Sequence, residues 1–201
     1  MTRVRALTHD VNWLRQAYSG ARSDLAGHIG IEFTTTASFA VGALGRGLWN
    51  ATAGARLLQS ALVTLWKVTG WRSGDVVEIA ASNVGPESDV AEGYAREPLH
   101  SINAAPSAQC PNITSGCVWL TSGQRYRVTM LASVGMPDTW YEGPLGNGVA
   151  AAYATYTAKV HKPTTGTWVL TNASGSSAVV DNSYFGRALG LQNTQTADRI
   201  E

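Results

Sequence analysis

Charge is scarce in this chain of 201 residues. Asp, Glu, Lys and Arg make up 14%, below the usual share of about a quarter, and the formal net charge is +1. Without a basic run or a strong overall charge, no nucleic-acid partner is expected. No run of about 18 apolar residues occurs either, so we expect no membrane insertion.

The N-terminus lacks the apolar central region of a secretory signal and reads M-T-R-V-R-A-L-T-H-D. We expect either that a leader was removed or that the protein leaves its cell by lysis or a dedicated route, as a viral protein would. Both alternatives predict an extracellular or virion-surface location.

The chain has only two cysteines, Cys110 and Cys117, and they enclose the polar turn sequence P-N-I-T-S-G. In an oxidising compartment they are predicted to form a disulfide, which contributes about 2–3 kcal/mol by loop entropy. The alternative is two buried thiols. A zinc site needs four ligands, and no second Cys/His pair has suitable spacing, so we expect no metal and no cofactor.

Glycine is abundant, with 21 residues, and side chains alternate between turns. After the turn at Gly123, the apolar residues Tyr126, Val128 and Met130 predict one buried face of a strand. The residues between them are predicted to face solvent: Arg125, Arg127 and Thr129.

Similar strands are predicted at 29–34, 39–43, 57–68, 77–79, 150–160 and 177–185. We expect long loops at 45–54 and at 82–96. About ten short strands with turns between them indicate an all-β, antiparallel, jelly-roll-like β-sandwich. We divide the chain into an N-terminal arm or short helix (1–28), the sandwich (29–190) and a polar tail (191–201).

The segments R-S-D-L-A-G-H-I-G-I-E-F-T, A-L-G-R, L-V-T-L-W-K-V-T-G, V-W-L-T-S-G-Q-R-Y-R-V and D-T-W-Y follow in this order, with a weaker G-T-W-x-L at 166–170 and S-Y-F at 183–185, and together they span roughly residues 20–186. The chain thereby resembles bacterial extracellular β-sandwich domains of unassigned function, similar to carbohydrate-binding modules and found on cell-surface proteins. The resemblance implies a jelly-roll-like sandwich with a binding or structural role, and no catalytic residues.

The residues themselves indicate no catalytic site. No G-x-S-x-G or H-E-x-x-H motif occurs, and the four histidines (His9, His28, His100 and His161) are scattered. Acidic residues near predicted strands include Glu32, Glu78, Asp138 and Glu142, but fourteen acids in a chain of this length produce such positions by chance. We therefore do not expect an enzyme, although one with an unrecognised site remains a further alternative.

Five aromatic residues fall in or beside predicted loops and are candidates for stacking on sugar rings: Trp49, Trp71, Tyr94, Trp140 and Tyr141. The alternative is packing against the core or a partner. Asp138 is a weak calcium candidate, and capping of the turn after Pro137 is the alternative. Three sequons, at Asn50, Asn112 and Asn172, are possible glycosylation sites in a eukaryotic secreted protein.

The sequence therefore favours a non-catalytic structural or surface-decorating subunit of an extracellular assembly, such as a virion or filament. Its expected partners are copies of itself or other assembly subunits. The alternative function is a glycan-binding module that uses the loop aromatics.

Overall fold

The computed structural model describes residues 9–11, 19–47, 56–91, 94–99, 117–138, 140–142, 154–172 and 190–193. These stretches contain fourteen strands and no helix. In chain order the strands are β1 (His9–Val11), β2 (Ser19–Arg22), β3 (Gly27–Thr35), β4 (Phe39–Gly47), β5 (Ala61–Val68), β6 (Val76–Val84), β7 (Asp89–Ala91), β8 (Tyr94–Pro98), β9 (Val118–Leu120), β10 (Arg125–Ala132), β11 (Trp140–Glu142), β12 (Ala154–Lys162), β13 (Val169–Asn172) and β14 (Gly190–Asn193).

The strands form two six-stranded antiparallel sheets and one two-stranded ribbon. Sheet 1 has the order β1-β14-β4-β8-β7, and β9 also pairs with β4. Sheet 2 has the order β13-β12-β3-β10-β5-β6, and β2 pairs with β11 in the ribbon. Sheet 1 thus places the first and last of these strands side by side.

The core lies between the two sheets because their strands alternate as the sequence predicts. Ile29, Ile31 and Phe33 of β3 are fully buried, and their partners across the strand pair are the predicted core residues of β10. Phe39 and Leu44 of β4 join the same buried cluster from sheet 1. Burying each such side chain contributes roughly 1.5–3 kcal/mol. The predicted all-β sandwich is confirmed.

The strand register defines two ends of the sandwich. What we call the hairpin end consists of residues 69–75, between β5 and β6, and residues 121–124, before β10. There Gln124 Nε2 donates to the Val68 carbonyl at 2.6 Å. Residues 57–60 and 133–138 lie together at the opposite end, where the Leu58 amide donates to Asp138. These two ends set the positions of the candidate functional residues.

Two predicted loops are partly strand. The segment 82–96 contains the end of β6, all of β7 and the start of β8, and β4 continues through Gly45 to Gly47. These stretches carry few large apolar side chains, so their alternation is weak. Pairing with neighbouring strands defines them instead: β8 lies between β4 and β7.

Where the structure describes residues 1–28, it shows the strands β1 and β2 and the start of β3, and no helix. The polar tail begins with a strand, since β14 ends at Asn193. The strand predicted at 177–185 lies outside the described residues, and the three-part division of the chain stays a prediction.

Candidate functional site

The outer face of sheet 2 is not the solvated surface that the alternation predicts. Arg127 is only 1% exposed and Thr129 is fully buried, so this part of the prediction is wrong. Glu32, which stands directly opposite Arg127 on β3, is 2% exposed. A second, smaller buried layer therefore covers this part of the outer face.

Two tryptophans form much of this layer. Trp168, which directly precedes β13, is buried with its ring centroid 5.6 Å from that of Trp66 and 6.0 Å from that of His28. The Trp66 indole nitrogen donates to the Thr129 hydroxyl at 2.9 Å, which places this ring over the sheet. The Arg127 guanidinium carbon lies 4.8 Å from the centroid of the Trp168 ring, a cation–π contact.

Glu32 and Arg127 form a buried ion pair beneath this layer. Arg127 Nε donates to Glu32 Oε2 at 2.9 Å, and both side chains are almost completely shielded from solvent. Burial lowers the pKa of the Arg127 guanidinium, and the hydrogen bond and charge of Glu32 oppose that shift. Glu32 thus compensates a charge whose burial alone is costly.

The same two strands hold the β5–β6 connection in place. We call residues 69–75 the Trp71 hairpin. Arg127 donates to the Ser73 carbonyl at 2.7 Å, and Arg125 donates to the Gly70 carbonyl at 2.9 Å. Arg125 is itself 3.4 Å from the second oxygen of Glu32. One buried carboxylate therefore positions two guanidinium groups that bind the hairpin backbone.

Bonds within the Trp71 hairpin fix its conformation further. The Arg72 amide donates to the Asp75 carboxylate at 2.9 Å, and the Asp75 amide donates to the Arg72 carbonyl at 3.0 Å. A Cβ atom at Gly70 would lie 2.2 Å from an Asp75 carboxylate oxygen, so this close approach requires glycine.

Trp71 projects from this fixed backbone with 98% of its surface exposed. Core packing, the alternative for Trp71, is thereby excluded. A large ring on a preorganised backbone offers contact area at little entropic cost on binding. Of the five predicted aromatics, Trp71 is the one whose side chain the structure describes, and that side chain is available for contact.

The other aromatic candidates are not brought together with Trp71. Tyr94 begins β8 and pairs with Gly47, and Trp140 and Tyr141 lie in β11 just after Asp138. These backbone positions are at the opposite end of the sandwich. Trp49 lies outside the described residues. The backbone positions of Tyr94, Trp140 and Tyr141 therefore lie away from the hairpin end that carries residue 71.

Asp138 connects two segments instead of capping its own turn. Its carboxylate accepts the Leu58 amide at 2.8 Å and the Gln59 amide at 2.7 Å, and it lies 3.7 Å from the buried guanidinium of Arg46. Burial lowers the pKa of Arg46, and Asp138 opposes that shift. A positive group at this distance disfavours calcium, and within the described residues no three acidic, His or Cys side chains cluster as a metal site requires.

One hydroxyl–imidazole pair occurs in the outer layer. Thr129 Oγ1 lies 3.2 Å from His28 Nδ1, the geometry of a nucleophile and a base. Thr129 is completely buried, however, and its oxygen already accepts the Trp66 hydrogen bond. The pair is therefore part of a buried hydrogen-bond chain, with no surface on which a substrate would reach the hydroxyl.

The modification candidates lie mostly outside the described residues. Cys110, Asn50 and Asn112 are among the residues that the structure does not describe, and Asn172 ends β13. Cys117 is buried directly before β9. The disulfide and the use of the sequons stay predictions.

Comparisons of the chain with protein-family models, with curated proteins and with solved structures find no match. The two packed sheets confirm the sandwich fold that the resemblance implies. Membership of the family of bacterial extracellular domains stays a prediction. Across the described stretches, no helix has the length and apolar character needed to cross a membrane.

Proposed function

We propose that this protein is a non-catalytic structural or surface-decorating subunit of an extracellular assembly, such as a virion or filament. In this proposal the Trp71 hairpin is its main contact with a neighbouring subunit. The observation that carries the proposal is the near-complete exposure of Trp71 on a hairpin that a buried ion pair holds in place. A partner that covers this ring would remove its apolar surface from water, which favours association.

The composition of protein interfaces supports this role. Tryptophan and arginine are enriched among the residues that dominate binding energy, and Trp71 is followed directly by the exposed Arg72. Val77, at the start of β6, is a further exposed apolar side chain near the same end. Because the hairpin is already ordered, its contact with a partner loses little conformational freedom.

Size-exclusion chromatography with light scattering tests the proposal. We expect wild-type protein to show a concentration-dependent mass above that of one chain, and Trp71→Ser to reduce it. Val90→Ser, at another exposed apolar residue on sheet 1, is the control and should associate as wild type does. Wild-type protein that stays a monodisperse monomer at high concentration, with residues 1–28 and 191–201 open to protease, contradicts the proposal.

A carbohydrate-binding module is the second candidate, because an exposed indole also stacks on sugar rings. The separation of Trp71 from the backbone positions of Tyr94, Trp140 and Tyr141 weighs against a sugar groove lined by these rings together. A glycan array with wild-type protein, Trp71→Ala, Trp49→Ala and Trp140→Ala decides the matter. Absence of binding to every sugar removes this candidate.

An extracellular location is part of the proposal, as is the resemblance to bacterial surface domains. A disulfide between Cys110 and Cys117, which the sequence predicts, would support this location, because such bonds persist in oxidising compartments. Peptide mapping by mass spectrometry without reduction should recover the two cysteines in one linked pair. Recovery of both cysteines as alkylated thiols from secreted protein would remove this support.

A further inference from the structure

His28, near the start of β3, ends a hydrogen-bond chain in the outer layer of sheet 2. The Trp66 indole nitrogen donates to Thr129 Oγ1 at 2.9 Å, and Thr129 Oγ1 lies 3.2 Å from His28 Nδ1. Thr129 is fully buried, and in the described part of the chain His28 Nδ1 is the acceptor that its hydroxyl hydrogen reaches. The chain is therefore complete when His28 is neutral with its proton on Nε2, because Nδ1 is then free to accept.

A proton on Nδ1 disrupts this chain. It converts Nδ1 from an acceptor into a donor, so two donors then point at the Thr129 oxygen while the Thr129 hydrogen loses its acceptor. The loss occurs inside a buried layer, where a polar group without a partner is unfavourable. Neutral His28 thus stabilises the layer, and charged His28 destabilises it.

The charges around His28 also oppose its protonation. Lys162 stands directly opposite His28 on β12. Burial and, after it, the Lys162 charge lower the pKa of His28, and no acidic group among the described residues offsets them. Lys159 and His161 of β12 stand opposite core residues of β3, on the other face of the sheet. The remaining charged groups on the elements around His28 are Asp24, Glu32, Arg125 and Arg127.

The Trp168 ring already has two positive groups beside it. The Arg127 guanidinium carbon lies 4.8 Å and Lys162 Nζ 5.9 Å from its centroid, and the His28 ring lies 6.0 Å away. Glu32 compensates Arg127 through their buried ion pair. Protonation of His28 would thus place a third positive charge around one ring, and like charges held this close repel one another.

The segment that carries Trp168 is the part of the layer held by the fewest buried side chains. Residues 164–167 are all exposed, and Trp168 is the buried residue of the connection 163–168 between β12 and β13. A segment with few buried contacts opens at a lower free-energy cost than the core strands. The Trp168 connection is therefore the part expected to move when His28 gains a charge, while β3 and β10 stay paired.

We propose that His28 is a proton-operated latch, in which one proton taken up from solvent on Nδ1 releases the Trp168 ring and residues 163–168 from the outer face of sheet 2. No other bond is made or broken. Release separates the positive groups and admits water to the imidazolium. It also uncovers Arg127, which donates to the Ser73 carbonyl of the Trp71 hairpin. The inference concerns contacts within one chain, so it does not depend on the proposed subunit role.

Fluorine NMR of the full chain labelled with 5-fluorotryptophan tests the latch. Among the seven tryptophans, Trp168→Phe and Trp71→Phe identify the two resonances of interest. From pH 8 to pH 5 the Trp168 resonance should move toward that of the exposed Trp71, with a midpoint below pH 6.5. His28→Gln takes up no proton and should abolish this movement. His161→Gln, on the other face of β12, is the matched control and should behave as wild type does.

Nitrogen NMR of wild-type protein labelled at histidine supplies a measurement that needs no variant. At pH 8 the proton of neutral His28 is expected on Nε2, and finding it on Nδ1 overturns the inference. A Trp168 resonance that stays fixed down to pH 5 also overturns it, as does one that moves equally in His28→Gln. If His28→Gln does not fold, Lys162→Gln takes its place: loss of the neighbouring charge should shift the midpoint to higher pH, and an unchanged midpoint contradicts the latch.

Discussion

Replacing Glu32 with glutamine tests the buried ion pair most directly. The change keeps the size of the side chain and removes only its charge, so Arg127, 1% exposed and 2.9 Å from the carboxylate, stays buried without compensation. Breaking a buried pair in this way costs about 3–5 kcal/mol. In a domain of this size that corresponds to a fall of roughly 6–20 °C in the unfolding midpoint.

Urea and thermal unfolding followed by tryptophan fluorescence measure this loss. Glu87→Gln removes an exposed carboxylate and is the matched control, with little change expected. Trypsin cleavage after Arg72 supplies a second measurement, because a loosened hairpin should be cut faster in the Glu32→Gln protein. A loss below about 1 kcal/mol, the value of a solvent-exposed pair, would refute the reasoning.

Three further changes test other parts of the structure. Burial lowers the pKa of His28, so its stabilising contribution is present above pH 6.5 and is lost as the pH falls. The unfolding free energy of the wild type should therefore fall from pH 8 to pH 5, and this fall should be smaller in His28→Asn. An unchanged dependence on pH in the variant contradicts this. Gly70→Ala should displace Asp75 and reduce self-association as Trp71→Ser does. Gly74→Ala is the control and should not, because nothing lies within 4 Å of a Cβ atom at that position. Equal self-association of the two variants contradicts this prediction. Asp138→Asn should lower the free energy of unfolding, measured in urea, by about 1–3 kcal/mol, because it weakens two backbone hydrogen bonds and one buried ion pair. An unchanged midpoint of urea unfolding would show that these three interactions contribute little to stability.

Alternation in the sequence predicts the core of the sandwich well. Ile29, Ile31 and Phe33 recur at every second position, and this local pattern is sufficient to place them inside. The same pattern wrongly assigns Arg127 to solvent. Its cover comes from Trp168, forty-one residues further along the chain, and no local pattern contains that contact.

The candidate site is predicted only in part for a similar reason. The sequence G-W-R-S-G-D places Trp71 in a turn, and the structure agrees. The residues that hold the turn, Arg125 and Glu32, become neighbours only through the pairing of β3 with β10. Charged side chains at facing positions of two predicted strands are the signal that would have found them, but it requires the register first.

The hydrogen bonds from Arg125 and Arg127 end on main-chain oxygens, those of Gly70 and Ser73. Every amino acid supplies the same carbonyl group, so these bonds set no requirement on the side chains displayed between them. Positions 71 and 72 are therefore open to wide substitution without loss of the loop shape, except by proline at 72, which would remove the amide that donates to Asp75. A library of variants at these two positions would therefore change the exposed surface of the hairpin while the supporting sheet stays constant.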